Sequence, residues 1–320
     1  MAKPRVSVIS VFFNRAEHVD DSVQSIVWQT YPNLEAILVD DGSTDETLHK
    51  LRQWEKTHAN IKVVSHENIG FTPSIIAAVQ QSEGEYIAIH GSGDISLPKR
   101  IQLQAQALDE NPEIGVVGSL RKNVSADSSK VLGLLGESFC GDARHILLDR
   151  NLFTHGEVMF RRSAYNSVGG YRNFFVYAQD RDLWCRLSMI TKFCVLDEVL
   201  YHRKRLPGSV SLSPEKRVAQ SLYSGFALQS HACRINGTEK NDFEHGAASI
   251  AMTDPSSKLA ERFFRHGVKS AIEQDFCSAY FYLVAAKRSG ATFYGLAASF
   301  LLPLVRLLRS FSGRKSPTKP

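Results

Sequence analysis

Val6 to Phe12 is a nearly continuous apolar and β-branched run, the pattern of a strand buried on both faces. Asn14-Arg15 breaks it. The stretch Val19 to Trp28 then carries Val19, Val23, Ile26 and Val27 at helical spacing on one face. Tyr31-Pro32-Asn33 reads as a turn, and Leu34 to Val39 as a second buried strand that ends in Asp40-Asp41-Gly42-Ser43. Thr44 is predicted to cap a helix running through Trp54. Ile61 to Ser65 predicts a third strand, Ser74 to Gln81 a helix, and Tyr86 to His90 a fourth strand. A helix starting near Pro98 presents Ile101, Leu103 and Leu108, and Ile114 to Val117 adds another strand. Strands alternating with helices predict an α/β fold with a mostly parallel, doubly wound sheet sandwiched by helices.

From Ser213 onward strand signals fade. Lys216 to His231, Lys258 to His266 and Ala271 to Lys287 have helical periodicity, so a helical C-terminal appendage is expected. Pro207-Gly208 and Ser213-Pro214 mark the boundary. The expected organisation is a catalytic domain over 1–212, a helical region over 213–310 and a disordered basic tail over 311–320. No internal repeat is visible.

Composition changes this picture little. A chain of 320 residues with 43% hydrophobic content suits one large α/β domain plus an appendage. The net charge of +5 is too weak to argue for nucleic acid. Its distribution is more telling: no acidic residue follows Asp275, whereas Lys287, Arg288, Arg306, Arg309, Arg314, Lys315 and Lys319 all do. A basic end beside the uncharged run Ala291 to Val305 points toward an anionic membrane surface, although Pro303 and the run's length argue against a spanning helix. An ordinary helix packed on the rest of the chain is the equal alternative. Cys140, Cys185, Cys194, Cys233 and Cys277 lack metal-site spacing and are expected to be reduced thiols of a cytoplasmic protein. Met1 to Arg5 has no apolar h-region, so no signal peptide is expected.

In an open parallel sheet, ligands bind beyond the carboxyl ends of the strands. Asn14-Arg15, Asp40-Asp41-Gly42-Ser43 and Gly91-Ser92-Gly93-Asp94 each directly follow a predicted strand. Three such clusters favour a shared site over routine loop sequence. Paired carboxylates there can bond a ribose or base, or hold a divalent cation against a pyrophosphate.

The stretch from Val6 to Thr47 closely resembles the opening of family 2 glycosyltransferases of the GT-A fold. Its elements are the first strand, the Asn-Arg turn, Ser25-Ile26-x-x-Gln29-Thr30-Tyr31-Pro32 and Val39-Asp40-Asp41-Gly42-Ser43-Thr44-Asp45. Gly84-Glu85-Tyr86-Ile87-Ala88, Leu97-Pro98-Lys99-Arg100, Met159-Phe160-Arg161-Arg162, Gly169-Gly170-Tyr171-Arg172 and Gln179-Asp180-Arg181-Asp182-Leu183-Trp184 continue it over roughly the first two-thirds of the chain. The resemblance implies an inverting transfer of a sugar from a nucleotide-diphosphate donor to a hydroxyl of a glycan or lipid-linked acceptor. It implies Phe13 and Asn14 at the base pocket, Asp40 and Asp41 at the nucleoside, and Asp180 as general base, the alternative for Asp180 being a mere N-cap.

Two departures stand out. The family's Asp-x-Asp is replaced by Gly91-Ser92-Gly93, leaving Asp94 as the one candidate ligand for a Mn²⁺ or Mg²⁺ ion. Three outcomes are open: Asp94 substitutes as ligand, the enzyme is metal-independent with Gly91, Ser92 and backbone N–H groups facing the pyrophosphate, or the site is degenerate. Ile75 stands where relatives often have an Arg that helps hold the nucleotide. His202, Arg203, Lys204 and Arg205, ahead of Pro207 to Ser211, resemble the basic loop that closes over the donor diphosphate, and His155 with Arg161-Arg162 are candidates for the acceptor or phosphate pocket. The expected partners are the nucleotide-sugar donor, the acceptor and the inner face of the plasma membrane, with no nucleic acid. The competing reading is a non-catalytic relative that binds nucleotide or glycan.

Overall fold

The structure, a computed structural model of the chain, describes residues 3–206, 213–238, 256–290 and 292–312. Ten strands form one sheet: β1 (Val6–Phe12), β2 (Leu34–Asp41), β3 (Ile61–His66), β4 (Tyr86–Ile89), β5 (Ile95–Ser96), β6 (Ile114–Val124), β7 (Val131–Leu135), β8 (Phe139–Gly141), β9 (Met159–Arg161) and β10 (Lys192–Lys204). The order is β3-β2-β1-β4-β9-β6-β10-β5, with β7 on β6 and β8 on β10. β3, β2, β1 and β4 are mutually parallel, as are β6 and β10. β9 is antiparallel to both β4 and β6, so the sheet is mixed.

The helices are α1 (Val19–Val27), α2 (Thr47–Thr57), α3 (Phe71–Gln81), α4 (Arg100–Glu110), α5 (Ile146–Asp149), α6 (Arg162–Ser167), α7 (Gln179–Leu187), α8 (Pro214–Ile235), α9 (Ser257–Ile272), α10 (Phe276–Arg288) and α11 (Phe293–Ser312). Alternation explains the packing. Val6, Val8 and Phe12 join a core with Val19, Val23 and Ile26 of α1, Leu51 of α2 and Ile101, Ala105 and Leu108 of α4. Their neighbours Ile9 and Val11 are also buried, on the face where α3 meets β1 and β2. A strand covered on both faces carries apolar residues at every position, which is why β1 to β4 read so plainly from sequence.

Local differences have local causes. Thr44 does not cap α2. Its N–H donates to Asn14 Oδ1 at 2.8 Å, and the helix begins at Thr47, whose N–H donates to Asp45 Oδ1 at 3.0 Å. α3 starts at Phe71 rather than Ser74, because Pro73 lies in the first turn, where its missing N–H costs nothing. α11 continues through Pro303. Cys140 and Cys194 are cross-strand neighbours on β8 and β10 and are disulfide-bonded, so the expectation of reduced thiols holds for Cys185, Cys233 and Cys277 alone.

The chain divides into two compact units. One comprises Met1–Pro207 with Ser230–Lys240, and the other Gly208–Gln229 with Asn241–Pro320. The sheet belongs to the first. In the second, Phe263, Ala279, Leu283, Ala286, Ala298 and Val305 form a small helical core. Of the expected boundary, Pro207-Gly208 lies outside the described residues and Pro214 opens α8; of the expected disordered tail over 311–320, Phe311 and Ser312 belong to α11 and the rest lies outside the described residues. Among the described residues no helix is long and apolar enough to cross a membrane.

Candidate active site

The carboxyl ends of β2, β1 and β4 lie side by side. After β1, Phe13 is 45% exposed, and Asn14 adopts the left-handed region at φ 50. Asparagine tolerates that conformation because its short amide bonds locally. Here Asn14 N–H donates to Ser43 Oγ at 3.0 Å, joining the β1 and β2 loops. Asp40 is buried and accepts from Ser65 Oγ at 3.2 Å and Ser43 N–H at 3.3 Å. Asp41, also buried, accepts from the N–H groups of Ile69 at 2.9 Å and Gly70 at 3.1 Å and from Ser74 Oγ at 3.0 Å. Its carboxylate therefore sits against the first turn of α3, where negative charge complements the helix N-terminus. Phe13 and the exposed Ile69 are the apolar surfaces at this end of the sheet.

The Gly91–Asp94 loop follows β4 and is tied to β10. Tyr201 Oη accepts from Gly91 N–H and donates to Asp94 Oδ2, each at 2.8 Å, while Lys204 N–H donates to Asp94 Oδ1 at 2.8 Å. Burial pushes the Asp94 carboxyl up to about 7, with the Tyr201 and Lys204 hydrogen bonds and the Arg203 charge acting in the opposite direction. Beneath the loop, His90 Nε2–H faces Asp94 O at 3.1 Å and Ser22 Oγ at 3.0 Å, and Nδ1 accepts from Ser96 Oγ at 3.0 Å. A carbonyl can only accept, so the network assigns the proton to Nε2. Burial first, then Arg100, lowers the His90 pKa to about 3. The buried Arg100 guanidinium donates to Ser96 Oγ at 2.8 Å and Ile89 O at 2.7 Å and lies 5.0 Å from the Tyr201 ring centre. Arg203 is half-buried, and its guanidinium makes no hydrogen bond or ion pair among the described residues; the Ser92 hydroxyl and N–H make none there either. Lys204 Nζ instead pairs with Asp21 at 2.9 Å.

Asp180 sits in the first turn of α7, preceded by Ala178 in the left-handed region at φ 55. An alanine held there stores backbone strain on the order of 1 kcal/mol, a feature that concentrates at functional sites. One Asp180 oxygen accepts from Arg181 N–H at 2.8 Å. Its neighbours are His155 and Tyr171, both of which feel its charge, and the two are joined through His155 Nε2 and Tyr171 Oη at 2.6 Å. Burial holds His155 below the usual imidazole range, with Asp180 pulling the other way, and burial raises Tyr171 well above the usual phenol range. Phe71 at the start of α3 packs edge-on to His155 at 5.5 Å between ring centres. Gly156 brings this group to the Gly91 loop, since a Cβ there would lie 3.0 Å from Gly91 N.

Other candidates lie elsewhere. β9 runs antiparallel to β4 and pairs Arg161 with Tyr86, which carries both arginines to the amino edge of the sheet. There Arg161 donates to Ile114 O at 2.9 Å, and Arg162 to Val79 O at 3.0 Å and Ser82 Oγ at 2.7 Å, so neither lines the pocket. His202 to Lys204 belong to β10 rather than to a loop, and Pro207 to Ser211 lie outside the described residues. Asp182 is buried and bound to Arg186 at 2.6 Å. Sequence reasoning missed Tyr201, His90 and Tyr171. A tyrosine in an apolar strand gives no local sign that its hydroxyl reaches a loop more than a hundred residues away.

The residues at the Gly91–Asp94 loop do not fit a protein-held divalent cation. Such an ion needs several oxygen ligands, usually with one or two carboxylates free to bind. Here the single carboxylate already accepts two hydrogen bonds, and no group of three His, Cys, Asp or Glu suited to a metal occurs among the described residues.

Comparison with known proteins gives a consistent result. The profile of Glycosyl transferase family 2 matches residues 7–169. An uncharacterized glycosyltransferase of Haemophilus influenzae is 29% identical over 228 residues, covering 66% of this chain and 68% of that protein. One from Methanocaldococcus jannaschii, MJ1057, is 27% identical over 237 residues, 72% of this chain and 80% of that protein. The chondroitin synthase of Pasteurella multocida is 27% identical over 200 residues, 62% of this chain but only 20% of that larger protein. Among solved structures, the mannosyltransferase PcManGT of Pyrobaculum calidifontis, in complex with GDP-Man and Mn²⁺, matches with a TM-score of 0.54 at 21% identity, covering 98% of this chain and 84% of that one. TarS 1-349 of S. aureus with UDP-GlcNAc matches with a TM-score of 0.56 at 19% identity, covering 96% and 87%. At these identities the structural likeness establishes the fold, which is GT-A.

Proposed function

This chain belongs to glycosyl transferase family 2 and is a glycosyltransferase, and from that premise we propose that it is an inverting enzyme with Asp180 as its general base. The acceptor is a hydroxyl of a glycan or lipid-linked saccharide. The observation that carries this reading is the contrast between Asp180 and Asp182. Asp182 is consumed by an ion pair, whereas Asp180 is half-exposed, held by one backbone N–H at a helix N-terminus, and faced by two polar aromatic side chains. A helix N-terminus favours the ionised carboxylate that a base requires. In the reaction Asp180 accepts the acceptor hydroxyl proton as that oxygen bonds to the anomeric carbon. The bond from that carbon to the donor phosphate oxygen breaks, and the nucleoside diphosphate leaves with the electron pair. Phe13 and Asn14 with Asp40 and Asp41 serve the nucleoside, Gly91, Ser92 and Asp94 form the diphosphate loop, and Arg203 offsets the leaving group's charge.

Nucleotide-sugar donors in the solved relatives' complexes support the donor class, GDP-Man in one and UDP-GlcNAc in the other. The test is sugar transfer or slow donor hydrolysis across GDP-, UDP-, dTDP- and ADP-sugars, with anomeric configuration read by NMR. Retention of configuration would overturn the inverting mechanism. Absence of both turnover and nucleotide binding would favour the non-catalytic reading.

The acceptor reading extends to location, at the cytoplasmic face of a membrane. α11 presents Phe293, Leu296, Phe300, Leu304 and Leu307 to solvent, Phe300 at 83% exposure, while Ala298 and Val305 on its other side are buried in the helical core. These exposed positions recur every three to four residues and form one stripe. An apolar stripe on a helix followed only by basic charge suits the interface of an anionic bilayer.

A further inference from the structure

We infer that this chain holds the donor diphosphate without a divalent cation: the Gly91–Asp94 loop is braced by its own hydrogen bonds, Gly91 N–H to Tyr201, Gly93 N–H to Ser22 and Asp94 N–H to Gly91 O, and Arg203 with Ser92 supplies what a bound metal would. The inference rests on the glycosyltransferase reading and concerns the same site. Its first support is steric. A Cβ at Gly91 would collide with Asp94 Oδ2 and come within 3.2 Å of Tyr201 Oη. A Cβ at Gly93 would meet the buried Leu206 Cδ1 at 2.5 Å, and Gly93 has φ +95, a conformation that strains any side-chain-bearing residue. Neither position at which an Asp-x-Asp would place its carboxylates carries one; at 91 a Cβ would have to displace the ends of Asp94 and Tyr201, and at 93 the backbone conformation itself disfavours a side chain.

Asp94, the remaining carboxylate, acts as a strut. Its oxygens take the Tyr201 hydroxyl and the Lys204 N–H, so it fastens the loop to β10 rather than projecting a free ligand. Two other acids of this region are engaged as well: Asp45 accepts from the N–H groups of Ala16 and Thr47, and Asp21 pairs with Lys204. Arg203 behaves differently: it senses Asp94 electrostatically yet spends its guanidinium on no hydrogen bond among the described residues. Arg15, which donates to Asn14 O and is drawn first to Asp45, also lies within electrostatic range of Asp94. Fixed positive charge raises the cost of bringing a divalent cation and lowers that of bringing a diphosphate. A guanidinium presents several N–H donors to phosphate oxygens, and a serine with an unengaged hydroxyl and N–H adds two more.

The test is calorimetric binding of GDP, UDP, dTDP and ADP to the full chain, each in excess EDTA and in excess MnCl2. The expected result is one nucleotide whose Kd differs by less than about threefold between the two conditions. Arg203→Ala is expected to weaken that binding about tenfold or more in EDTA, the loss of a charge-assisted hydrogen bond. Asp94→Asn is expected to lower the melting temperature and to weaken nucleotide binding by the same factor in EDTA and in MnCl2, because a strut of the loop is lost and a metal ligand is not. Binding that appears only with Mn²⁺, or an Asp94→Asn variant that folds but loses Mn²⁺-dependent affinity, would overturn the inference and leave the glycosyltransferase reading intact. No binding of any nucleotide under either condition would instead remove the donor site itself, and the inference with it.

Discussion

The Tyr201 hydroxyl sits between the Gly91 N–H and the Asp94 carboxylate, 2.8 Å from each, and so joins the loop after β4 to the far end of β10. A phenol is well suited to this, since one oxygen accepts from an amide and donates to a carboxylate at once. Tyr201→Phe leaves both partners unmatched in a part-buried site. The expected cost is about 1–3 kcal/mol of stability, read from a denaturant midpoint. An unchanged midpoint would mean that solvent replaces the hydroxyl and that the loop needs no strut.

Asp180 and Asp182 are two residues apart and are expected to fail in different ways. Asp180→Asn should reduce turnover about 10²- to 10⁴-fold with nucleotide affinity preserved, as for loss of a general base. Asp182→Asn strands the buried Arg186 and is expected to destabilise the fold by about 3–5 kcal/mol. Steady-state kinetics beside thermal melts separate them. If Asp182→Asn melts normally but loses turnover, the roles assigned to the pair are reversed.

His90 makes a pH prediction with a definite sign. Its pKa is lowered to about 3, whereas an unfolded chain protonates histidine near its ordinary value. Below that value the unfolded state binds a proton that folded His90 refuses. Its contribution is therefore fully present at neutral pH and is lost as pH falls from about 6.5 toward 3, at up to about 1.4 kcal/mol per pH unit. His90→Gln removes this dependence. Unfolding free energies at pH 7 and pH 5 should diverge less for the variant than for the parent, and equal slopes would contradict the buried neutral imidazole.

The exposed stripe on α11 is expected to drive lipid binding. The parent chain should co-sediment with vesicles containing phosphatidylserine or cardiolipin and do so less at high salt, because charge attraction is screened. Phe300→Glu with Leu304→Glu should reduce the bound fraction about tenfold or more, since apolar burial is lost and a like charge is added. Unchanged vesicle binding, or a double variant whose only change is from dimer to monomer, would reassign the stripe to contact between copies.

Much of the first unit was legible in the residue order. β1 to β4 are covered on both faces, so each announces itself as a local apolar run, and the clusters at Asn14, Asp40-Asp41 and Gly91–Asp94 follow those runs directly. The parallel order of adjacent strands then brings these clusters to one edge. Whatever depended on distant pairing was not legible. β9 and the last third of β10 are placed by partners far along the chain, and no local pattern states that β9 enters antiparallel. That single reversal sends Arg161 and Arg162 to the opposite edge, where backbone carbonyls absorb their charge.

What the sequence by itself determined is the chemistry available: a carboxylate at Asp180, paired carboxylates after β2, glycines at 91 and 93, and basic residues without acidic ones after Asp275. These follow from residue identity, and identity sets pKa range, donor capacity and room for a side chain. What only the tertiary structure decided is how each group is spent. The Asp94 oxygens receive the Tyr201 hydroxyl and the Lys204 N–H, and the Asp182 carboxylate is paired with Arg186. A carboxylate's function depends on which donors reach it first, and those donors arrive from strands and helices that only folding brings together.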